Sequence, residues 1–276
     1  MSHVRDGFLR NITAIFKFIV FVLSVLVLLP VMVFVPRGTA GVKCLRMYMR
    51  FMAWLCGIKI RAHGELSSHR PLVVVCNHIS IFEFAVFPIA FGGTFVGKKE
   101  IAAWPFVGWV AKKFGVVFVD RRPAHAMDAL ATVQRAVNSA PYPLYIFPEG
   151  TSTNGAYVKK FKSPLFNFIE NSNVVVQPMV MRYLHRDGSS ISDVDMANHY
   201  AYFNNRDMEY GPKCKVERSA FAQVFHIMKI GGFMVDIELL PPVDLTGMDR
   251  KEIAAYLHNI VSTKYMEIKD KQEKIK

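Results

Sequence analysis

A histidine and a carboxylate stand five positions apart in "CNHISIFEF" (76–84), directly after the apolar run "PLVVV". His78 has the intrinsic pKa of a general base at neutral pH. A carboxylate on its far ring nitrogen would fix the tautomer and stabilise the imidazolium formed when the base takes a proton. Glu83 suits that role if a strand ends near Cys76 and a helix starts near Ser80. The same residues also suit a blander arrangement, in which His78 caps a chain end and Glu83 complements a helix dipole. Two more polar clusters follow apolar runs: Asp120-Arg121-Arg122 after "GVVFV", and Pro148-Glu149-Gly150-Thr151 after "YPLYIF". Arg121 can grip a phosphate through a bidentate guanidinium, or end a solvated basic loop. In "FPEGT" Pro148 fixes φ, Gly150 permits close backbone approach, and Glu149 and Thr151 offer a carboxylate and a hydroxyl. Such a turn can hold a polar headgroup or aim N–H groups at a developing oxyanion; it can also be an ordinary strand-to-helix turn. Lys98 and Lys99, with Lys159, Lys160 and Lys162, add positive charge, mostly of surface type, of which one or two can meet an anionic ligand.

The elements that must position these groups are legible as an alternation. After Ile58, apolar β-branched runs (71–76, 115–120, 142–147, 173–181 and 233–240) alternate with helical segments. One helix carries Ala126, Met127, Leu130, Val133 and Val137 on a single stripe. Another is expected in "KSPLFNFIENS", with Ser163 as N-cap and Pro164 at N1. A carboxy-terminal helix is expected to start near Met248 or Asp249. Apolar strands alternating with helices predict an α/β fold, with a central, largely parallel sheet covered on both faces. Ligands bind beyond the carboxyl ends of such strands, so the clusters at Asn77-His78, Asp120–Arg122 and Glu149–Thr151 are expected to converge on one cleft. The fourth run carries Gln177-Pro178. The polar segment from His185 to Glu217 reads as an irregular excursion on the substrate side.

Composition narrows the surroundings. Hydrophobic residues make up 52%, the mean hydropathy is +0.22, and the formal net charge is +12. A basic, apolar chain selects an anionic membrane surface over nucleic acid, and no nucleic-acid motif with its framework is present. Cys44, Cys56, Cys76 and Cys214 lack metal-type spacing and read as reduced, small hydrophobes, which fits a reducing compartment. Uncharged "FIVFVLSVLVLLPVMVFV" (18–35) would form a helix about 27 Å long, close to the hydrocarbon thickness. "VKCLRMYMRFMAWLCGI" (42–58) sets Lys43, Arg46 and Arg50 on one helical face against Leu45, Met49 and Met52 on another, as interfacial helices do. Spanning the bilayer, dipping into one leaflet as a hairpin, and removal as a signal peptide all stay open at this point. The expected division is an anchor over 1–58 and a catalytic domain over 59–276.

The ordered series "NHISIFE", "FVGKKEIAAWPFVGW", "GVVFVDRR", "FPEGT" and "VVQP", covering roughly residues 70 to 180, resembles the glycerolipid acyltransferases of the lysophosphatidate acyltransferase family. The resemblance implies acyl transfer from acyl-CoA or acyl-carrier protein to the sn-2 hydroxyl of 1-acylglycerol-3-phosphate, giving phosphatidic acid, with no metal and no further cofactor. By the same resemblance His78 is the base, Glu83 holds it, and Arg121 binds the acceptor phosphate. Asn77, Lys98, Glu149, Gly150 and Thr151 are the other expected substrate contacts. Membrane lipids are the expected partners, with the catalytic domain facing the cytoplasm. This chain departs from the family pattern twice. Glu83 stands where the family has Asp, one methylene longer, so either the imidazole is displaced or local backbone absorbs the difference. Ser152 and Thr153 follow "EGT" where many members have Arg. That variant resembles the branch of lyso-ornithine lipid acyltransferases, and makes lyso-ornithine lipid or another lysolipid the alternative acceptor. A catalytically inactive lipid-binding relative is the other alternative.

Overall fold

The β-branched runs pair into one seven-stranded sheet in the computed structural model, which describes residues 2–34, 39–103, 107–113, 115–120, 126–170 and 172–273. The strands are β1 (Lys59–His63), β2 (Leu72–Cys76), β3 (Thr94–Lys98), β4 (Val117–Val119), β5 (Leu144–Ile146), β6 (Val175–Leu184) and β7 (Met234–Leu239). Their order is β1-β7-β6-β2-β5-β3-β4. Only β6 and β7 run antiparallel; every other neighbouring pair is parallel. β2, the central strand, is buried along its whole length, as a parallel strand covered on both faces must be. The largely parallel α/β sheet expected from the sequence is therefore present. Two strands escaped that reading. β1 ("KIRAH") is a charged edge strand, and β3 ("TFVGK") is short and interrupted by Gly97.

The helices follow the same logic of burial. α3 (Glu83–Phe91) follows β2, α4 (Val107–Lys113) follows β3, and α5 (Ala126–Ser139) links β4 to β5, burying Val133 and Val137. A single turn, α6 (Asp193–Asp195), lies within the 185–217 excursion. α7 (Ala220–Ile230) precedes β7, and α8 (Arg250–Glu273) closes the chain. α8 starts as expected: Asp249 Oδ1 accepts from the Glu252 amide at 2.9 Å, and Glu252 Oε2 accepts from the Asp249 amide at 2.8 Å. This reciprocal cap satisfies two backbone donors. Ile253, Leu257, Val261 and Tyr265 then form its buried stripe. The helix expected at 162–172 is instead a single 3-10 turn, Ser163–Phe166, flanked by Lys162 with no side-chain cap. Phe161 and Phe166 are both buried there.

Two amino-terminal helices, α1 (Ser2–Phe34) and α2 (Thr39–Cys56), complete the fold. Among the described residues, Phe8–Leu28 is long and apolar enough to cross a membrane; it overlaps the expected 18–35, whose last residue lies outside the described ones. α1 lies against the body. Ala14 is fully buried, and the Phe18 ring meets that of Phe225 edge-on at 5.4 Å. Ser24 Oγ is 3.2 Å from Tyr48 Oη on α2. α2 buries Leu45, Leu55 and Cys56 and exposes Met47, Phe51 and Trp54. Of its expected basic face, Arg46 is turned inward and donates to the Ile89 carbonyl at 2.9 Å.

Candidate active site

The site begins where β2 leaves the sheet. The Asn77 side chain continues the ladder to β6: its Oδ1 accepts from the Met181 amide at 2.9 Å and its Nδ2 donates to the Met181 carbonyl at 2.8 Å. The next residue, His78, is clamped through its backbone. Its N–H donates to Glu149 Oε1 at 2.6 Å, and its carbonyl accepts from the Thr153 amide at 2.8 Å. The imidazole stacks on Phe147, with ring centroids 4.3 Å apart and planes 21° from parallel. A ring held by its own backbone, by stacking and by a carboxylate has little rotational freedom left.

That carboxylate is Glu83, the first residue of α3. Its Oε2 lies 2.9 Å from His78 Nδ1. The Ser80 amide donates to Oε1 at 2.8 Å and to Oε2 at 3.1 Å, and Tyr183 Oη donates to Oε1 at 2.6 Å. Glu83 is 0% exposed. A buried carboxylate needs this many donors to offset its lost hydration. Since the carboxylate accepts, Nδ1 carries the proton in the neutral imidazole and Nε2 is left as the basic nitrogen. The longer side chain still reaches the imidazole: it folds back three residues to Ser80, and the contact to His78 keeps an ordinary hydrogen-bond length. Burial, and then the nearby Glu83 charge, push the Tyr183 phenol well above its usual range, so it stays a donor.

The "FPEGT" turn abuts this pair. Both Glu149 oxygens are taken by backbone amides, Oε1 by His78 and Oε2 by Lys159 at 2.7 Å. Burial pushes its carboxyl well above the ordinary range, against the pull of those two donors. Glu149 and Asn77, at 0% and 2% exposure, spend their polar atoms on backbone and shape the His78 loop. Gly150 has φ +75°, and a Cβ there would approach Lys162 Nζ to 2.6 Å, which brings that amine beside the turn. Thr151 is half-buried, its Oγ1 3.4 Å from Asp207 Oδ2. Gln177 is a structural residue, bonded to the Ser67 amide and to the Glu65 and Leu240 carbonyls. Asp120 pairs with Lys99 at 3.7 Å. Arg121, like the Lys98 side chain, lies outside the described residues.

The 185–217 excursion sits on the same side. The Tyr202 amide donates to the Ile79 carbonyl at 3.0 Å, and Ser152 Oγ donates to the Tyr202 carbonyl. Asn154 Nδ2 donates to the Tyr210 and Pro212 carbonyls, each at 3.0 Å. Tyr183 and the Phe147 stack were missed from sequence. Tyr183 lies in a largely apolar strand a hundred residues from Glu83, and the β2–β6 pairing brings the two together.

The arrangement offers a tautomer-fixed imidazole beside a glycine turn and a lysine amine, suited to removing a hydroxyl proton during acyl transfer. Residues 58–182 match the family model described as Acyltransferase. The chain is 30% identical over 215 residues to a lyso-ornithine lipid O-acyltransferase of Pseudomonas aeruginosa, covering 74% of this chain and 72% of that one. It is 27% identical over 158 residues to human 1-acyl-sn-glycerol-3-phosphate acyltransferase alpha, covering 55% and 56%. The crystal structure of the 1-acyl-sn-glycerophosphate acyltransferase PlsC from Thermotoga maritima superposes with a TM-score of 0.61 at 18% identity over 98% of both chains, so the two share a fold. The chain belongs to the acyltransferase family, in the group that holds the lyso-ornithine lipid and 1-acyl-sn-glycerol-3-phosphate acyltransferases.

Proposed function

We propose that this acyltransferase moves a fatty acyl group from a thioester, acyl-CoA or acyl-carrier protein, to the free hydroxyl of a lysolipid at a membrane surface. The observation that carries the reading is the His78 Nδ1–Glu83 contact of 2.9 Å, which leaves Nε2 as the base. In this reading Nε2 takes the acceptor hydroxyl proton as its oxygen attacks the thioester carbonyl. Glu83 stabilises the imidazolium. The tetrahedral intermediate collapses, the C–S bond breaks, and the leaving thiolate takes from His78 the proton that came from the acceptor hydroxyl. The ester forms without an acyl-enzyme, so no Ser or Cys nucleophile is required. Arg121, Lys98, Gly150, Thr151 and the Lys162 amine are the proposed contacts for the polar ends of the substrates.

For the acceptor we propose lyso-ornithine lipid. Two observations support it: the relative aligned over three quarters of the chain acts on that lipid, and Ser152-Thr153 replaces the arginine expected after "EGT". 1-Acylglycerol-3-phosphate is the second reading, supported by relatives aligned over about half of the chain. The four cysteines are free, which fits a catalytic body on the reducing, cytoplasmic side. The test is membrane-reconstituted protein given an equimolar mixture of lysolipids and one acyl thioester, with products read by lipid mass spectrometry. The expected result is an acylated ornithine lipid that disappears in His78→Ala. Phosphatidic acid as the main product would select the second reading. Turnover unchanged in His78→Ala would remove the mechanism.

A further inference from the structure

We propose that the membrane-contact surface extends beyond the amino-terminal helices onto α7, with Phe221 as an insertion residue at an anionic lipid surface. The inference rests on reading α1 as a membrane segment. Phe18 on α1 meets Phe225 at 5.4 Å, and Phe21 meets Phe221 at 6.5 Å. α7, packed against α1, lies at whatever membrane surface α1 meets.

α7 flanks it with an apolar face. Phe221 is 62% exposed, unusual for a large aromatic, and α1, which packs on it through Phe21, exposes Ile19, Val22 and Leu23. Lys229 in the last turn of α7 is exposed, as are Lys43 and Arg50 on α2. With the net charge of +12, these exposed cations suit anionic headgroups. The continuity of α7 with α1 selects a lipid surface as the occupant. α7 also follows directly on the excursion that bonds the His78 loop, so its insertion would hold the mouth of the site at headgroup level.

The test is partition of the full chain onto vesicles of phosphatidylcholine and phosphatidylglycerol, read by flotation. Phe221→Ser is expected to weaken partition about tenfold, and Phe221→Leu to retain it, because the contribution is apolar burial. Turnover of a lysolipid dispersed in detergent is expected to be unchanged in both. A double α1 variant, Ile15→Ser with Ile19→Ser, separates the two readings. If it weakens partition and Phe221→Ser does not, α1 stays in the membrane and the proposal for α7 is overturned. If neither weakens it, the reading of α1 fails as well.

Discussion

Tyr183 Oη donates at 2.6 Å to Oε1 of Glu83, the carboxylate oxygen that His78 does not use. The phenol thus completes the hydrogen bonding of a buried charge and fixes the plane in which that charge meets the imidazole. Tyr183→Phe leaves the oxygen with the Ser80 amide alone. Loss of a donor to a buried charged group costs about 1–3 kcal/mol. The expected result is a roughly tenfold fall in kcat with KM for both substrates within about twofold. Steady-state kinetics check this; a change confined to KM would assign Tyr183 to substrate binding.

Glu83→Gln and Glu83→Asp separate charge from length. Gln keeps the size, but its amide cannot stabilise an imidazolium and can present a donor to Nδ1. Turnover is expected to fall by at least about a hundredfold, as when other His–acid pairs lose their charge. Asp keeps the charge but is a methylene short of the Ser80, His78 and Tyr183 positions, and is expected to retain far more activity. Equal activity of the two variants would reduce Glu83 to a helix-start residue.

Glu149→Gln probes the clamp on the His78 backbone. Both oxygens accept from amides, so the Gln –NH2 must face an N–H donor. One buried donor is left unmatched, at about 1–3 kcal/mol. Thermal unfolding is expected to shift down by several degrees, with turnover falling because His78 is less firmly held. An unchanged melting temperature would show that the turn repacks.

His226 sets a pH dependence of stability. Burial, with Arg218 nearby, holds its pKa down at about 4, against an ordinary value of 6.5, and its Nε2 is 3.1 Å from Nδ1 of His199. Between these values the unfolded chain binds more protons than the folded one, so stability falls as pH falls. The melting temperature is expected to drop between about pH 6.5 and 4, and His226→Gln to flatten that slope. Equal slopes in both proteins would place the acid sensitivity elsewhere.

Much of this architecture was legible because it rests on local patterns. The all-apolar run of β2 marks a buried strand, and the carboxy-terminal helix was expected to start near Met248 or Asp249, where its cap lies. His78 and Glu83 were readable as a pair because five residues of chain already hold them close. What escaped depends on distant pairing. Tyr183 and Met181 look like ordinary strand residues until β6 lies beside β2. Asn77 and Glu149 carry the residue types of ligand-binding groups, and nothing local distinguishes a side chain aimed at substrate from one spent on a neighbouring amide. Arg46 was misread for the same reason, since a periodic basic face does not reveal which of its members meets the Ile89 carbonyl.

Asn77 is tied to the backbone of Met181, and Glu83 to the side chain of Tyr183, two residues further along β6. The base and its acid are thus referenced to the same short length of one strand. A tilt or slide of β6 carries both by nearly the same vector, so thermal motion of the sheet is a common-mode displacement that leaves their separation intact. Motion of the substrate-side loops does not share that reference, so the gap expected to fluctuate is the one between His78 and its substrates.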